Sequence, residues 1–174
     1  SKLYKMDAQT GETLAMVRLE GSLGFATVSP TYADGKIFVP LDSGKIQAFD
    51  FKTFRSIWVY SDSLGGQAIS PITYDSGYVY TGFWNDEEGD GNFVCLSVKD
   101  ENPKKQTEAK KARWTYKHKG GFYWAGAAVT EGFVIFGGDD GKEGSSSASK
   151  IFSLNKKTGK LVSSLETKGD IRSS

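Results

Sequence analysis

The sequence is poor in the residues on which most catalytic sites are built. One histidine, His118, stands among 174 residues. That excludes any metal site needing two imidazoles and makes any Ser, His, Asp triad depend on this one side chain. His118 is expected at an exposed strand end. The single cysteine, Cys95, excludes a disulfide within the chain. Its neighbours Val94 and Leu96 mark it as a small buried residue, not a reactive thiol. An excess of either charge is also missing: 22 Lys plus Arg against 21 Asp plus Glu give a formal net charge of +1. A surface without a global field does not gather polyanions, so nucleic acid is not an expected partner. No apolar run approaches the roughly 18 residues of a membrane-spanning helix. The chain opens in mid-pattern on SKLYKMD, without a charged and then apolar leader, which leaves a secretory leader upstream an open question.

What is abundant is repetition. VSPTYADGKIFVP, from Val28 to Pro40, returns as ISPITYDSGYVYTG from Ile69 to Gly82, and more loosely as AAVTEGFVIFGG from Ala127 to Gly138. A second pattern lies between these copies: LYKMDAQTGE near the start, IQAFDFKTFR from Ile46 and IFSLNKKTGK from Ile151. Strands with an aromatic anchor follow in SIWVY around Trp58 and ARWTY around Trp114. A period of about 40 residues is the mark of propellers and related arrays.

Each piece has a local reading. β-Branched and aromatic residues in short alternating runs specify strands, and the Asp34-Gly35 and Ser76-Gly77 pairs specify tight turns between them. In DAQTG the Asp7 carboxylate caps backbone amides and Gly11 takes the positive φ that closes the turn; Asp50 and Asn155 repeat the role, with Phe54 replacing the glycine in the second copy. Four strands per period follow, lettered A to D from the inside outward. Complete blades are expected over residues 25–60, 67–117 and 123–167. Residues 1–20 supply only outer strands of a split blade, and 171–174 the start of the next. The charged stretch Lys99 to Ala112 reads as a long solvated C to D connection, with a helical turn as the alternative. Trp58 and Trp114 are assigned to packing between blades.

The run VSPTYADGKIFVPLDSGKIQAFDFKTFRSIWVY resembles the pyrroloquinoline-quinone-type, or quinoprotein-like, propeller repeat. In that repeat Ser-Pro opens the inner strand, an Asp-x-Lys-Thr-Gly turn joins the outer strands and tryptophan docks neighbouring blades. The resemblance implies an all-β fold: a partial β-propeller of three complete four-stranded blades plus fragments of a fourth, belonging to a larger ring of seven or eight. Ring closure removes open sheet edges. The missing blades are therefore expected from the same parent polypeptide or from a second chain.

Function is less constrained. Proteins of this kind include periplasmic alcohol and glucose dehydrogenases, an outer-membrane assembly lipoprotein that binds other proteins, and secreted repeat proteins. The dehydrogenases use a quinone, a calcium ion, acidic and amide ligands and often adjacent cysteines. This chain has no cysteine pair and no clear acidic and amide set on its inner strands, so the quinone is not expected here. Long loops on a rigid scaffold are where binding residues accumulate. The B to C loops at 85–92 and 139–149, and the D to A loop KGGFYWAG, emerge on one face. Phe122, Tyr123 and Trp124 are candidate ligand contacts because Trp and Tyr pair apolar area with a polar edge; packing between blades is their alternative role. Asp139 and Asp140 join them. Asp86, Glu88 and Asp90, followed by Gly91, match the first half of a calcium loop, but Ser97 stands where a bidentate glutamate would complete it. The expectation is a noncatalytic binding or scaffold module, extracellular, periplasmic or on the cell surface, contacting protein or glycan. A portion of a quinone-dependent dehydrogenase is the alternative. A carbohydrate-active enzyme ranks behind both, since no pair of carboxylates stands at a predictable separation.

Overall fold

The computed structural model describes residues 1–23, 28–85, 89–124, 126–139, 149–169 and 171. Fifteen strands are present among them: β1 (Lys2–Met6), β2 (Thr13–Arg18), β3 (Thr31–Ala33), β4 (Lys36–Leu41), β5 (Lys45–Asp50), β6 (Ser56–Ser61), β7 (Thr73–Asp75), β8 (Tyr78–Gly82), β9 (Asp90–Ser97), β10 (Glu108–Lys110), β11 (Trp114–Lys119), β12 (Ala128–Val129), β13 (Phe133–Gly138), β14 (Ser149–Asn155) and β15 (Leu161–Thr167). The fold is all-β.

The strands form four sheets, antiparallel throughout except where β10 joins the second. The first is the hairpin β1-β2; the second orders as β10-β6-β5-β4-β3, the third as β11-β9-β8-β7 and the fourth as β12-β13-β14-β15. The tight turns follow from their residues. Asp34 and Gly35 (φ 51° and 67°), like Ser76 and Gly77 (φ 46° and 83°), all take positive φ. That is the pattern of the hairpin turn whose twist matches that of its flanking strands.

Consecutive sheets pack on one another through shared cores. Phe38, Ile46, Ala48, Trp58 and Tyr60 of the second sheet meet Val79, Phe83, Val94 and Leu96 of the third. Tyr80, Phe93, Cys95 and Trp114 of the third meet Val134, Phe136, Phe152 and Leu154 of the fourth. Leu3 and Val17 of the hairpin cover Val39, Leu41 and Phe49. Since neighbours such as Phe38 and Val39, or Val79 and Tyr80, point into different cores, the central strands are apolar on both faces. Strict alternation is accordingly replaced by near-continuous apolar runs such as FVCL in β9. The terminal sheets are buried on one side only, and Tyr4, Met6, Leu14, Met16, Phe133, Leu161, Val162 and Leu165 are exposed there.

Repeated contacts join the blades. The Thr31 hydroxyl donates to the Ile72 carbonyl (3.1 Å) and the Thr73 hydroxyl to the Ala127 carbonyl (3.0 Å), the same bond one period apart. The Trp114 indole N–H donates to the Lys156 carbonyl (2.9 Å) in the next connector. Asp62 closes a polar seam between the second and third sheets. It accepts from the Tyr60 hydroxyl (2.7 Å) and the Asn92 amide (3.0 Å). Cys95 is fully buried, and burial pushes its thiol up to about 12.

Two expectations are corrected here. The stretch Lys99 to Ala112 is neither a wholly solvated loop nor a helical turn: it contributes β10, which runs parallel to β6 with Glu108, Ala109 and Lys110 opposite Trp58, Val59 and Tyr60. The Lys110 ammonium is buried against the Trp58 ring (5.5 Å to its centroid) and donates to the Lys99 carbonyl (3.1 Å) and to Glu101 (3.0 Å). A solvated reading of a charge run fails when one cation finds a ring and two oxygens together. His118 is not exposed at a strand end either. It is half-buried, packed against Phe152 (4.7 Å between ring centroids), because the D strand that carries it faces the core of the next blade.

Candidate functional site

The loop-rich face is assembled around the turn between β11 and β12. This turn is pinned by backbone hydrogen bonds from two neighbouring segments. Gly120 N–H donates to the Gly89 carbonyl (2.7 Å), Phe122 N–H to the Phe83 carbonyl (3.1 Å) and Asp139 N–H to the Gly121 carbonyl (3.1 Å). Gly120 and Gly121 (φ 85° and 64°) permit the sharp reversal, and a Cβ at Gly121 would lie 2.8 Å from the Phe83 carbonyl oxygen. Only glycine fits so close to the neighbouring backbone.

Three rings follow in sequence across this face. Trp84, at the start of the B to C loop of the third sheet, meets Tyr123 edge-on at 5.0 Å; Tyr123 in turn lies 4.5 Å from Trp124. Trp84 and Tyr123 are half-buried, while Trp124 is 41% exposed. The Trp84 indole N–H is buried and finds no acceptor among the described residues. Trp124 sits at φ 57°. A bulky residue in that region carries strain that the surrounding structure must hold in place, and such strain concentrates at functional sites.

The sequence candidates separate on this geometry. Tyr123 and Trp124 lie together at the surface. Phe122 is fully buried, edge-on to Phe93 (5.4 Å) and Phe136 (5.3 Å), so no ligand reaches it without displacing the core. Asp139 lies behind the same turn at 5% exposure, its carbonyl accepting from His118 Nε2–H (3.0 Å). Asp140, Asp86 and Glu88 lie outside the described residues. Asp90 opens β9 and pairs with Lys117 (3.0 Å). Among the described residues no three His, Cys, Asp or Glu side chains are grouped to hold a metal ion.

Trp84 and Asn85 were not among the candidates, yet both belong to this face. The Asn85 amide donates to the Asp90 carbonyl (2.7 Å), and Trp84 is bridged through its backbone to Gln67. The available signal was position: Trp84 follows the Gly82-Phe83 end of a B strand, where the chain turns onto the loop face. Open clefts of about 460 Å³ (lined by Tyr78, Ser97, Lys110 and Arg113) and 370 Å³ (Pro71, Thr73, Ile135 and Ile171) lie elsewhere.

Four-stranded meanders stacked face to face in sequence, with equivalent bonds recurring at each step, define a β-propeller, of which this chain forms a part. The particular kind follows from comparison with solved structures. BamB from Moraxella catarrhalis superposes with a TM-score of 0.65 at 19% identity, over 99% of this chain and 46% of that one. A quinohemoprotein alcohol dehydrogenase from Pseudomonas putida HK5 superposes with a TM-score of 0.69 at 16% identity, over 97% of this chain and 32% of that one. The computationally designed Ika4 protein matches with a TM-score of 0.62 at 13% identity, over 90% of this chain and 82% of that one. The fold is the quinoprotein-like propeller repeat, and the chain spans less than half the length of the two natural proteins. No family model and no curated protein matches the sequence.

Proposed function

We propose that this chain is a noncatalytic binding module of a secreted or cell-envelope protein, holding a protein partner on the face formed by Trp84, Tyr123 and Trp124. The observation that carries the reading is the strained, exposed Trp124 at the end of a ring series that follows directly on a turn held by backbone hydrogen bonds at Gly120, Gly121 and Phe122. Exposed Trp and Tyr on a preorganised support are the residues that dominate protein interfaces, because little entropy is lost on contact. The exposed apolar faces of the two terminal sheets belong against further blades, from the same polypeptide or a second chain. Neither the acidic loop's calcium nor a quinone is needed for this role.

The test is binding of immobilised protein to an array of envelope-protein peptides and, in parallel, to a glycan array. The expected result is peptide binding that falls by about tenfold or more in Trp124→Ala, the cost of losing one anchor of this kind. Equal binding by the wild type and the variant on both arrays overturns the proposal. Binding confined to glycans, lost in the same variant, replaces the protein partner with a sugar. Quinone- and calcium-dependent dye reduction by the full-length protein would support the dehydrogenase instead.

A further inference from the structure

The third sheet ends in a cationic cleft far from the Trp124 face. This open cleft of about 460 Å³ lies where β8 begins and β9 ends, at the cross-strand pair Tyr78 and Ser97, and the segment between β10 and β11 forms its wall. Lys110, Lys111 and Arg113 line it together with the carboxylate of Glu101. β11 leads the chain from this cleft to the turn that carries Trp124, over six residues. At about 3.3 Å per residue the two places are on the order of 20 Å apart, at opposite ends of one strand. The third sheet is flanked on both faces by sheets of this chain, so blades added at either end of the array leave the cleft open.

The charges here do not cancel. Each nearby carboxylate already has a cation: Asp75 accepts from Lys156 (2.8 Å), Asp100 pairs with Arg55, and Glu101 pairs with Lys110 (3.0 Å). Lys111 and Arg113 are exposed and form no ion pair among the described residues, which leaves two positive charges unmatched in a chain of net charge +1. Arg113 is also held in position. Its backbone N–H donates to the Cys95 carbonyl (2.8 Å), and its guanidinium lies over the Tyr78 ring, 4.6 Å from the centroid. A guanidinium stacked through its face keeps its edge of N–H donors free to grip a carboxylate. The Ser97 oxygen accepts from the Lys99 N–H (3.2 Å), so its hydroxyl proton remains to donate. The chain itself shows which anion suits the place: the Glu101 carboxylate already sits on Lys110, whose side chain is only 3% exposed.

We infer that this cleft binds an acidic segment of a protein partner, with one carboxylate on the Arg113 guanidinium and another on Lys111, beside Glu101. An extended segment suits an open cleft, whereas a small free anion is normally enclosed by its pocket. Fluorescence anisotropy of a labelled, end-capped oligoglutamate peptide added to the full chain at low salt tests it, with oligoglutamine and inorganic phosphate alongside. Saturable binding of oligoglutamate and none of oligoglutamine is expected. Arg113→Gln should weaken it about tenfold and Lys111→Gln several-fold, while Arg113→Lys, which keeps the charge and loses the planar fork, should recover only part of the loss. These side chains are exposed, so the unfolding midpoints should not move. Lys119→Gln, at the other end of β11, and Trp124→Ala should leave the affinity unchanged, which keeps this result separate from that of the aromatic face. Failure to bind oligoglutamate overturns the inference, as does binding indifferent to Arg113→Gln. Equal weakening by Lys119→Gln would reveal diffuse charge attraction, and binding of phosphate without oligoglutamate would reveal a small-anion site; either result overturns it too.

Discussion

Gly159 lies directly against the Trp114 indole: a Cβ there would sit 2.5 Å from its Cδ2. The connector glycine of one blade is thus the seat for the tryptophan of the blade before it. Gly159 also has φ 69°, as Gly11 has φ 73° at the equivalent position of the first connector, where nothing lies within 4 Å. Gly11→Ala should therefore cost only the backbone strain, about 1 kcal/mol, and Gly159→Ala that strain plus a displaced tryptophan, about 3 kcal/mol or more. Urea unfolding of the two variants measures the difference; equal losses would remove the docking role.

The two docking tryptophans differ in a way that separates them experimentally. Trp114 donates to the Lys156 carbonyl, whereas the buried Trp58 indole N–H has no acceptor among the described residues. The cause is the irregular connection of the third sheet, which brings Lys110 to the Trp58 ring where the other blades bring a turn. Trp114→Phe should lose about 1 kcal/mol more stability than Trp58→Phe, because only the former breaks a hydrogen bond. Equal losses would show that both indoles are bonded, and calorimetric unfolding of both proteins decides it.

These two sites also show what a single sequence reveals. The connectors were legible because Asp7, Asp50 and Asn155 cap the same turn, and their third residues Thr10, Thr53 and Thr158 return the bond in backbone form. Even Phe54, which breaks the glycine rule, takes φ 60° and buries its ring near Phe49. β10 was not legible, since three residues, Glu-Ala-Lys, carry no strand signal and their pairing is imposed by the neighbouring blade. At the site, Tyr123 and Trp124 stood out as aromatics in a glycine-rich loop. Phe122 looked the same, and only the third dimension shows that it turns inward. Trp84 was hidden because its partner ring is 39 positions later in the chain, a relationship fixed by blade stacking and not by spacing.

His118 makes the fold sensitive to mild acid. An imidazole ordinarily titrates near 6.5, and burial, with a smaller opposing effect from the Asp139 carbonyl, lowers the value in the folded chain. The charged groups acting on it are Lys150, Asp139 and Asp90. As pH falls, the unfolded chain therefore takes up the proton first. Stability is unaffected well above 6.5, declines as pH drops from there to the lowered folded value, and levels off below it. His118→Leu should flatten this decline in denaturant midpoints measured between pH 7.5 and about 5, above the range where carboxylates dominate. An unchanged slope would show that His118 is not its source.

Trp124 offers the sharpest distinction between packing and binding. Its positive φ costs on the order of 1 kcal/mol or more for a side chain of this size, and its ring is substantially exposed, so the fold gains little from it. Trp124→Gly relieves the backbone strain and forfeits some chain entropy, about 0.5–1 kcal/mol. The two effects nearly cancel, so the unfolding midpoint should stay unchanged or rise slightly. A residue kept for packing behaves otherwise: removing a buried tryptophan costs about 3–5 kcal/mol. Thermal unfolding of Trp124→Gly beside Trp114→Gly therefore reads out the purpose of the ring. If the two fall together, Trp124 belongs to the core and the proposed binding face loses its anchor.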